Sequence, residues 1–178
     1  MEIRKLHKLT TDPGLKWGHN GYTTDKIYSI SSIESAEIFE FILKEKTYPY
    51  TKTWETTPDE FDDLNAVIEQ GNSFGAYVNG ELTGWIICEH RTWNNSFYIE
   101  NILIDEKHRR EGIGILLIKS AVKEARQLNC RVIELETQNT NYPAIQFYRR
   151  MGFNLTGFNT RLYENPEETA LFMTLDLD

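Results

Sequence analysis

The run Arg109-Arg110-Glu111-Gly112-Ile113-Gly114 lies between an apolar stretch, Tyr98 to Ile104, and an amphipathic one that begins near Gly112. A strand passing through two glycines into a helix makes an anion cradle. The first N–H groups of a helix have no intrahelical partner and sit at the positive end of its dipole. Gly112 and Gly114 also lack the Cβ atoms that would keep a diphosphate from the backbone. A P-loop would need Lys-Ser or Lys-Thr after the second glycine. Ile115 and Leu116 stand there instead, which argues against magnesium and γ-phosphate chemistry. A dinucleotide loop is the stronger rival, with Glu134 and Glu136 at about the spacing of its ribose-binding acid. That fingerprint follows its strand within a residue or two and carries a third glycine. Here Asp105 to Glu111 intervene and Leu117 takes the glycine's place.

The pattern Arg109-x-x-Gly112-x-Gly114 after a strand resembles the pyrophosphate-binding motif of the GNAT N-acetyltransferases, which bind acetyl-CoA. One strand later, Asn141-Tyr-Pro-Ala144-Ile-Gln-Phe147-Tyr148-Arg-Arg-Met-Gly152-Phe153 resembles that family's second signature. Trp93-Asn94, Tyr98-Ile-Glu100, Leu135-Glu-Thr-Gln138 and Leu162-Tyr163 are similar to segments of its streptothricin-acetylating branch. The resemblance covers residues 74 to 175, and the first 70 match only in element order. It implies an α+β fold: a mixed, mostly antiparallel sheet with a splayed parallel central pair and helices on both faces. It also implies acetyl-CoA as cosubstrate and a small cationic amine as acceptor, streptothricin at its β-lysine amine, so that the activity would give antibiotic resistance. Homodimers are common in the family, and the sequence marks no patch for one.

Acetyl transfer from a thioester to an amine needs a deprotonated amine, a donor for the developing oxyanion and a proton for the departing thiolate. Tyr148 resembles the family's helix tyrosine near the CoA sulfur, and a phenol can protonate a thiolate. It would equally suit a core aromatic on its helical stripe. The resemblance places the oxyanion donor at the Leu103 N–H, within the cosubstrate-binding strand end Ile102, Leu103 and Ile104. The phosphates fall to Arg109, Arg110, Glu111, Gly112, Ile113, Gly114 and Ile115. Asn141 has a sufficient role as an N-cap, and the family adds a contact to pantetheine. Glu100 interrupts an apolar strand, so its carboxylate needs a partner. It is the candidate general base or ammonium ligand, with a structural salt bridge as the alternative. Glu136 shares a face with Glu134 by the strand period and is a candidate substrate contact. Trp93, Tyr98, Tyr163, Trp54 and Tyr50 are the rings to seek around a cation, with Trp93 and Tyr163 foremost. Cys88 lies in an apolar strand without a histidine base, which favours direct transfer in a ternary complex over an acyl-enzyme.

The elements that must position these groups follow from the patterning. At 178 residues the chain suits one domain, and 40% hydrophobic with 26% charged residues is an ordinary globular composition. A net charge of −8 disfavours nucleic acid or an anionic membrane as partner. No metal is expected from the spacing of His7, His19, His90 and His108, and no signal peptide or spanning segment is visible. Two widely spaced cysteines point to a reducing cytoplasm.

Residues 1 to 25 read as an arm or an extra strand. Ser31-x-x-Glu34 reads as a capping box for a helix bearing Ile33, Ala36, Phe39, Ile42 and Leu43, and Thr57-Pro58-Asp-Glu60 as the box of a second helix. Phe74 to Val78 and Glu81 to Glu89 flank the hairpin dipeptide Asn79-Gly80. Tyr98 to Ile104, the helix from Gly112 with Leu116 on its apolar side, and Val132 to Thr137 make a parallel crossover. The Asn141 helix ends at Gly152, and Phe153 to Thr156 with Leu171 to Leu175 close the sheet. Two other functions remain open on this reading: an acetyltransferase of protein N-termini or lysines, and a non-catalytic acyl-CoA sensor.

Overall fold

The structure is a computed structural model and describes residues 1–10, 20–54 and 57–177. Asp12-Pro-Gly14 and His19 of the N-terminal segment lie outside the described residues, as does the side chain of Trp54. Strands β1 (Glu2–Lys5), β4 (Phe74–Val78), β5 (Glu81–Arg91), β6 (Ser96–Ile104), β7 (Val132–Gln138), β8 (Asn154–Asn159) and β9 (Ala170–Asp176) form one sheet in the order β1-β4-β5-β6-β7-β9-β8. Strands β2 (Asn20–Glu34) and β3 (Phe39–Trp54) form a second. The helices are α1 (Pro58–Ile68), α2 (Ile113–Gln127) and α3 (Tyr142–Arg150). Within the N-terminal segment, residues 2–5 form an edge strand antiparallel to β4. The parallel pair is β6 and β7, in register from Ser96 opposite Val132 to Ile99 opposite Leu135. The described chain divides into two compact units.

The first unit comprises Met1–Asn20, Trp54–Leu135 and Thr174–Asp178. Its β4–β5 hairpin turns at Asn79 (φ 52°) and Gly80 (φ 87°), the positive pair that a type I′ turn requires. Successive β5 side chains serve opposite faces. Trp85 and Ile87 pack with Leu6, Leu9 and Ile68, against which Phe61, Leu64 and Val67 of α1 close. On the other face a Cβ at Gly84 would stand 3.3 Å from the Cγ2 of Ile113 in α2. Helices therefore cover both faces. The capping box of α1 is present, Thr57 N–H donating to Glu60 at 2.6 Å and Glu60 N–H to the Thr57 hydroxyl at 3.3 Å. In α2 the buried stripe is Ile113, Leu117, Ile118, Ala121 and Ala125. Leu116, expected on it, is 37% exposed, because at 3.6 residues per turn it lies on the side of the helix away from Ala121 and Ala125.

The second unit comprises Gly21–Thr53 and Glu136–Met173. Here the expected helix after Ser31 is wrong: that segment is the end of β2, the turn Ser35 to Ile38 and the start of β3. The turn is closed by the Ser35 N–H donating to the Ile38 carbonyl at 2.9 Å. The strands are rich in threonine, isoleucine and tyrosine, and Pro49 would break a helix but is tolerated in a two-stranded ribbon, where every strand has a free edge. The helical stripe had no core to face: Ile33 is 55% and Phe39 68% exposed. Asn139, buried beyond the end of β7, ties the unit together. It exchanges both backbone and side-chain bonds with Tyr28 and Thr169, its Nδ2 donating to the Tyr28 carbonyl at 2.7 Å and its Oδ1 accepting from the Thr169 N–H at 2.7 Å. Helix α3 starts as expected, with the Asn141 side chain accepting from the Ala144 N–H at 3.3 Å. It ends at Met151, one residue before the left-handed Gly152 (φ 94°).

Candidate active site

In the first unit, strand β6 gives way to a single turn, Glu106 to His108, that the Asp105 side chain caps by accepting from the Lys107 N–H at 3.2 Å. The chain then reverses through two left-handed residues, Arg110 (φ 69°) and Gly112 (φ 85°), and enters α2 at Ile113. A Cβ on Gly112 would meet no protein atom within 4 Å. Glycine there keeps the positive φ and leaves open space above the first helical N–H groups, which is the geometry a diphosphate needs. The flanking side chains are partly committed elsewhere. Arg109 Nε donates to the Ile104 carbonyl at 3.3 Å and fastens the strand end, while His108 Nδ1 meets Glu111 at 3.1 Å. Ile115 and Leu116 are exposed on the opening turn. Of the strand residues assigned to the cosubstrate, Leu103 lies opposite Trp85 and packs toward α1, and Ile102 and Ile104 are half-buried.

Glu100 is the extra residue of a bulge. Ile87 pairs with Asn101 and Cys88 with Ile99, so nothing on β5 stands opposite Glu100. A bulge re-aims a side chain out of the pleat. Glu100 is exposed, yet the surrounding protein withholds enough water to hold its carboxyl above the ordinary value. The positive charge of Arg91 acts against this and the negative charge of Glu89 reinforces it. The neighbouring Tyr98 lies beneath Arg91, whose guanidinium carbon is 3.6 Å from the ring centre. Trp93, on the β5–β6 turn, is 83% exposed and has little wall around it. Cys88 and Cys130 are buried free thiols, both pushed up by burial, which leaves Cys88 inert as a nucleophile.

In the second unit, Tyr148 is buried on α3 between the rings of Phe147 and Phe153. Its hydroxyl has no hydrogen-bond partner among the described residues. Burial, and then the negative charge of Glu136, raises its pKa well above that of an ordinary phenol. The group therefore holds its proton throughout the neutral range. Glu136 accepts a short hydrogen bond from the Tyr163 hydroxyl, which brings together two of the residues singled out for the acceptor. Beside them Lys52 Nζ lies 5.4 Å from the centre of the Tyr163 ring and 2.6 Å from Glu168 Oε2. Glu168 is only 2% exposed, and its other oxygen accepts from Tyr50 at 3.1 Å. Lys52, Glu168 and Asn139 were not foreseen. They come from distant segments without periodicity or motif, and only a buried acid next to a tyrosine-rich strand could have hinted at the network.

A model of the acetyltransferase (GNAT) family matches residues 35–153. Over 101 residues the chain is 37% identical to the streptothricin acetyltransferase of Streptomyces lavendulae, an overlap of 55% of this chain and 53% of that relative, so it spans about half the relative's length. It is 31% identical to the streptothricin acetyltransferase of Escherichia coli over 148 residues, 76% of this chain and 80% of the relative. A solved acetyltransferase of Bacillus anthracis in complex with acetyl coenzyme A superposes with a TM-score of 0.73 at 28% identity, covering 99% of this chain and 97% of that one. The Gly112 turn fits that cosubstrate through its open space, while the Ile115 and Leu116 N–H groups already donate to the Gly112 carbonyl at 3.1 and 3.2 Å. Since the family match runs through this strand, turn and helix and on to Gly152-Phe153, the chain is a member of the acetyltransferase (GNAT) family.

Proposed function

We propose that the protein is an acetyl-CoA-dependent N-acetyltransferase of a small cationic amine, streptothricin at its β-lysine amine, acting in the cytoplasm as a resistance enzyme. We read the two compact units as one acetyltransferase domain. The observation that carries the reading is Glu100. A carboxyl lifted out of the pleat by a bulge, and made a better proton acceptor than an ordinary glutamate, suits an ammonium that must lose its proton before attack. The resemblance of the chain to two enzymes named for streptothricin supplies the acceptor.

In this reading acetyl-CoA supplies an acetyl thioester. The N–H groups from Glu111 to Gly114 bind its pyrophosphate beside Ile115, whose own N–H donates to the Gly112 carbonyl at 3.1 Å, Gly112 keeps the approach open, and the Leu103 N–H and the Ile102–Ile104 strand end steady the acyl end. Arg109 and Arg110 add charge at the phosphates, and the family resemblance assigns a pantetheine contact to Asn141. Glu100 takes the proton from the acceptor amine. Tyr148, with its proton held by burial and no competing partner, donates toward the sulfur as the thiolate departs. Glu136 and Tyr163 bind the cationic acceptor, and Trp93 contributes a ring at its rim. The acyl group passes directly to the amine, since Cys88 is buried and protonated.

Thiol release from acetyl-CoA, measured with purified protein against streptothricin, aminoglycosides, polyamines and peptides, tests this. Streptothricin-dependent release with one added acetyl group by mass spectrometry is expected. Turnover of a peptide alone would replace the acceptor with a protein N-terminus or lysine, and binding of acetyl-CoA without any turnover would favour a sensor.

A further inference from the structure

Strand β5 ends in Glu89-His90-Arg91, and these residues lie opposite Tyr98, Phe97 and Ser96 of β6. Arg91 is held twice: its Nε meets Glu89 Oε2 at 2.7 Å, and its guanidinium carbon sits 3.6 Å above the centre of the Tyr98 ring. A planar guanidinium laid on an aromatic face and bonded through its Nε to a carboxylate has little rotamer freedom left, so its charge occupies a fixed place instead of sweeping through solvent. That place is two residues along β6 from the bulged Glu100, and the charges of both Arg91 and Glu89 reach Glu100 with opposite signs.

We propose that Arg91, parked on Tyr98 by Glu89, is a positioning residue that sets how readily Glu100 takes up a proton, and so sets the pH range in which the acceptor amine is activated. The inference rests on the reading of Glu100 as the proton acceptor. The other charged and titratable groups on this face are few. Tyr98 is covered by Arg91 itself. Glu134 of β7 stands opposite Tyr98 in the parallel register and adds negative charge to the face. The next acid along that strand, Glu136, is engaged by the Tyr163 hydroxyl. Helix α1 packs farther along β5 through Phe61, Leu64 and Val67, and its acids Asp59, Glu60, Asp62 and Asp63 are exposed to solvent. Arg91 is therefore the cation that offsets the local acids. Glu89 has two opposing effects, anchoring that cation and repelling the Glu100 carboxylate.

The test is a titration of the Glu100 side-chain carboxyl by carbon NMR in glutamate-labelled protein without ligands, in the parent and in Arg91→Gln, Arg91→Lys and Glu89→Gln. Removing the cation in Arg91→Gln should raise the Glu100 midpoint by about half a pH unit, a shift reduced from that of a buried pair by solvent screening. Arg91→Lys, which keeps the charge, should recover most of the parent midpoint. In Glu89→Gln the two effects oppose each other, since the repelling carboxylate is gone while the cation loses its anchor, so the midpoint should move less than in Arg91→Gln. Recovery by a variant that keeps only the charge is not produced by general loosening of the strand. The acid limb of kcat/KM for the acceptor should follow the midpoint in each variant. A Glu100 midpoint that is the same in all four proteins, or one that Arg91→Lys leaves as displaced as Arg91→Gln does, overturns the proposal. Because the titration needs no acceptor, this failure is distinct from that of the base reading, which full turnover by Glu100→Gln would sink.

Discussion

The turn at Gly112 and the network around Glu168 reach a defined geometry by opposite means. At the turn the proposed binding groups are backbone N–H groups, the decisive residue has no side chain, and the space above Gly112 is bare of protein atoms within 4 Å of where a Cβ would stand. Around Glu168 the backbone is incidental. The carboxylate is held by Lys52 and Tyr50, Lys52 lies over the Tyr163 ring, and Tyr163 reaches Glu136. A site made of backbone tolerates changes to most of its side chains and is destroyed by a methyl group in one place. A site made of side chains has several points of failure, each of which also costs folding stability.

The largest expected effect tests the second half of that contrast. Lys52→Met leaves the Glu168 carboxylate buried without its cation. It should lower unfolding free energy by about 3 kcal/mol, the lower end of the range for breaking a buried pair, because Lys52 itself is partly exposed. A chemical denaturation midpoint reads this directly, and Glu168→Gln, which removes the charge along with the need for a partner, should cost less. An unchanged midpoint in Lys52→Met would make the network a surface decoration. Next in size is Tyr148→Phe, which keeps the buried ring and removes the proton. It should lower kcat by about a hundredfold, with little change in the KM for acetyl-CoA. If kcat holds, the tyrosine is a core aromatic and nothing more.

The same contrast explains what could be read from the residues alone. The cradle was legible because its requirements are local: glycines at a fixed spacing, a strand before them and a helix after. The Asn141 cap, the Asn79-Gly80 hairpin and the Thr57 capping box were legible for the same reason. The network was not, since Lys52, Tyr50, Glu136, Tyr163 and Glu168 come from three separate segments, and chemistry at one of them says nothing about which others it meets. The β2–β3 hairpin failed in a third way. Its apolar residues fit a helical period by coincidence, and a two-stranded ribbon that leaves Phe39 and Ile33 exposed has no buried face to enforce the alternation by which strands are recognised. The bulge at Glu100 was also invisible, although the acid itself stood out against its apolar neighbours.

Gly112→Ala sharpens the comparison from the other side. The added methyl group meets no protein atom, so the cost to folding is confined to holding a non-glycine residue at φ 85°, about 1 kcal/mol. The KM for acetyl-CoA should rise about tenfold, because the methyl group enters the space that backbone recognition leaves open. A large loss of stability with unchanged KM would mean that the turn is there for the fold.

The smallest expected effect concerns Glu100. Its carboxyl binds a proton more readily in the folded chain than in the unfolded one. Between the ordinary glutamate value and the raised one the native state therefore carries the extra proton, so stability falls as pH rises through that window and stays lowered above it. Glu100→Gln removes the titration. At neutral pH it should stabilise the protein by about 0.3 kcal/mol, a figure kept small by the solvent screening of an exposed side chain, and the gain should vanish below the window. Thermal melts at several pH values read the sign. The same substitution should impair acetyl transfer, so stability and activity would move in opposite directions, as expected where a charge is held at some cost to the fold for the reaction it performs. A Glu100→Gln variant that loses stability at neutral pH would instead identify the acid as a structural ion-pair member, and the bulge as a feature of the sheet alone.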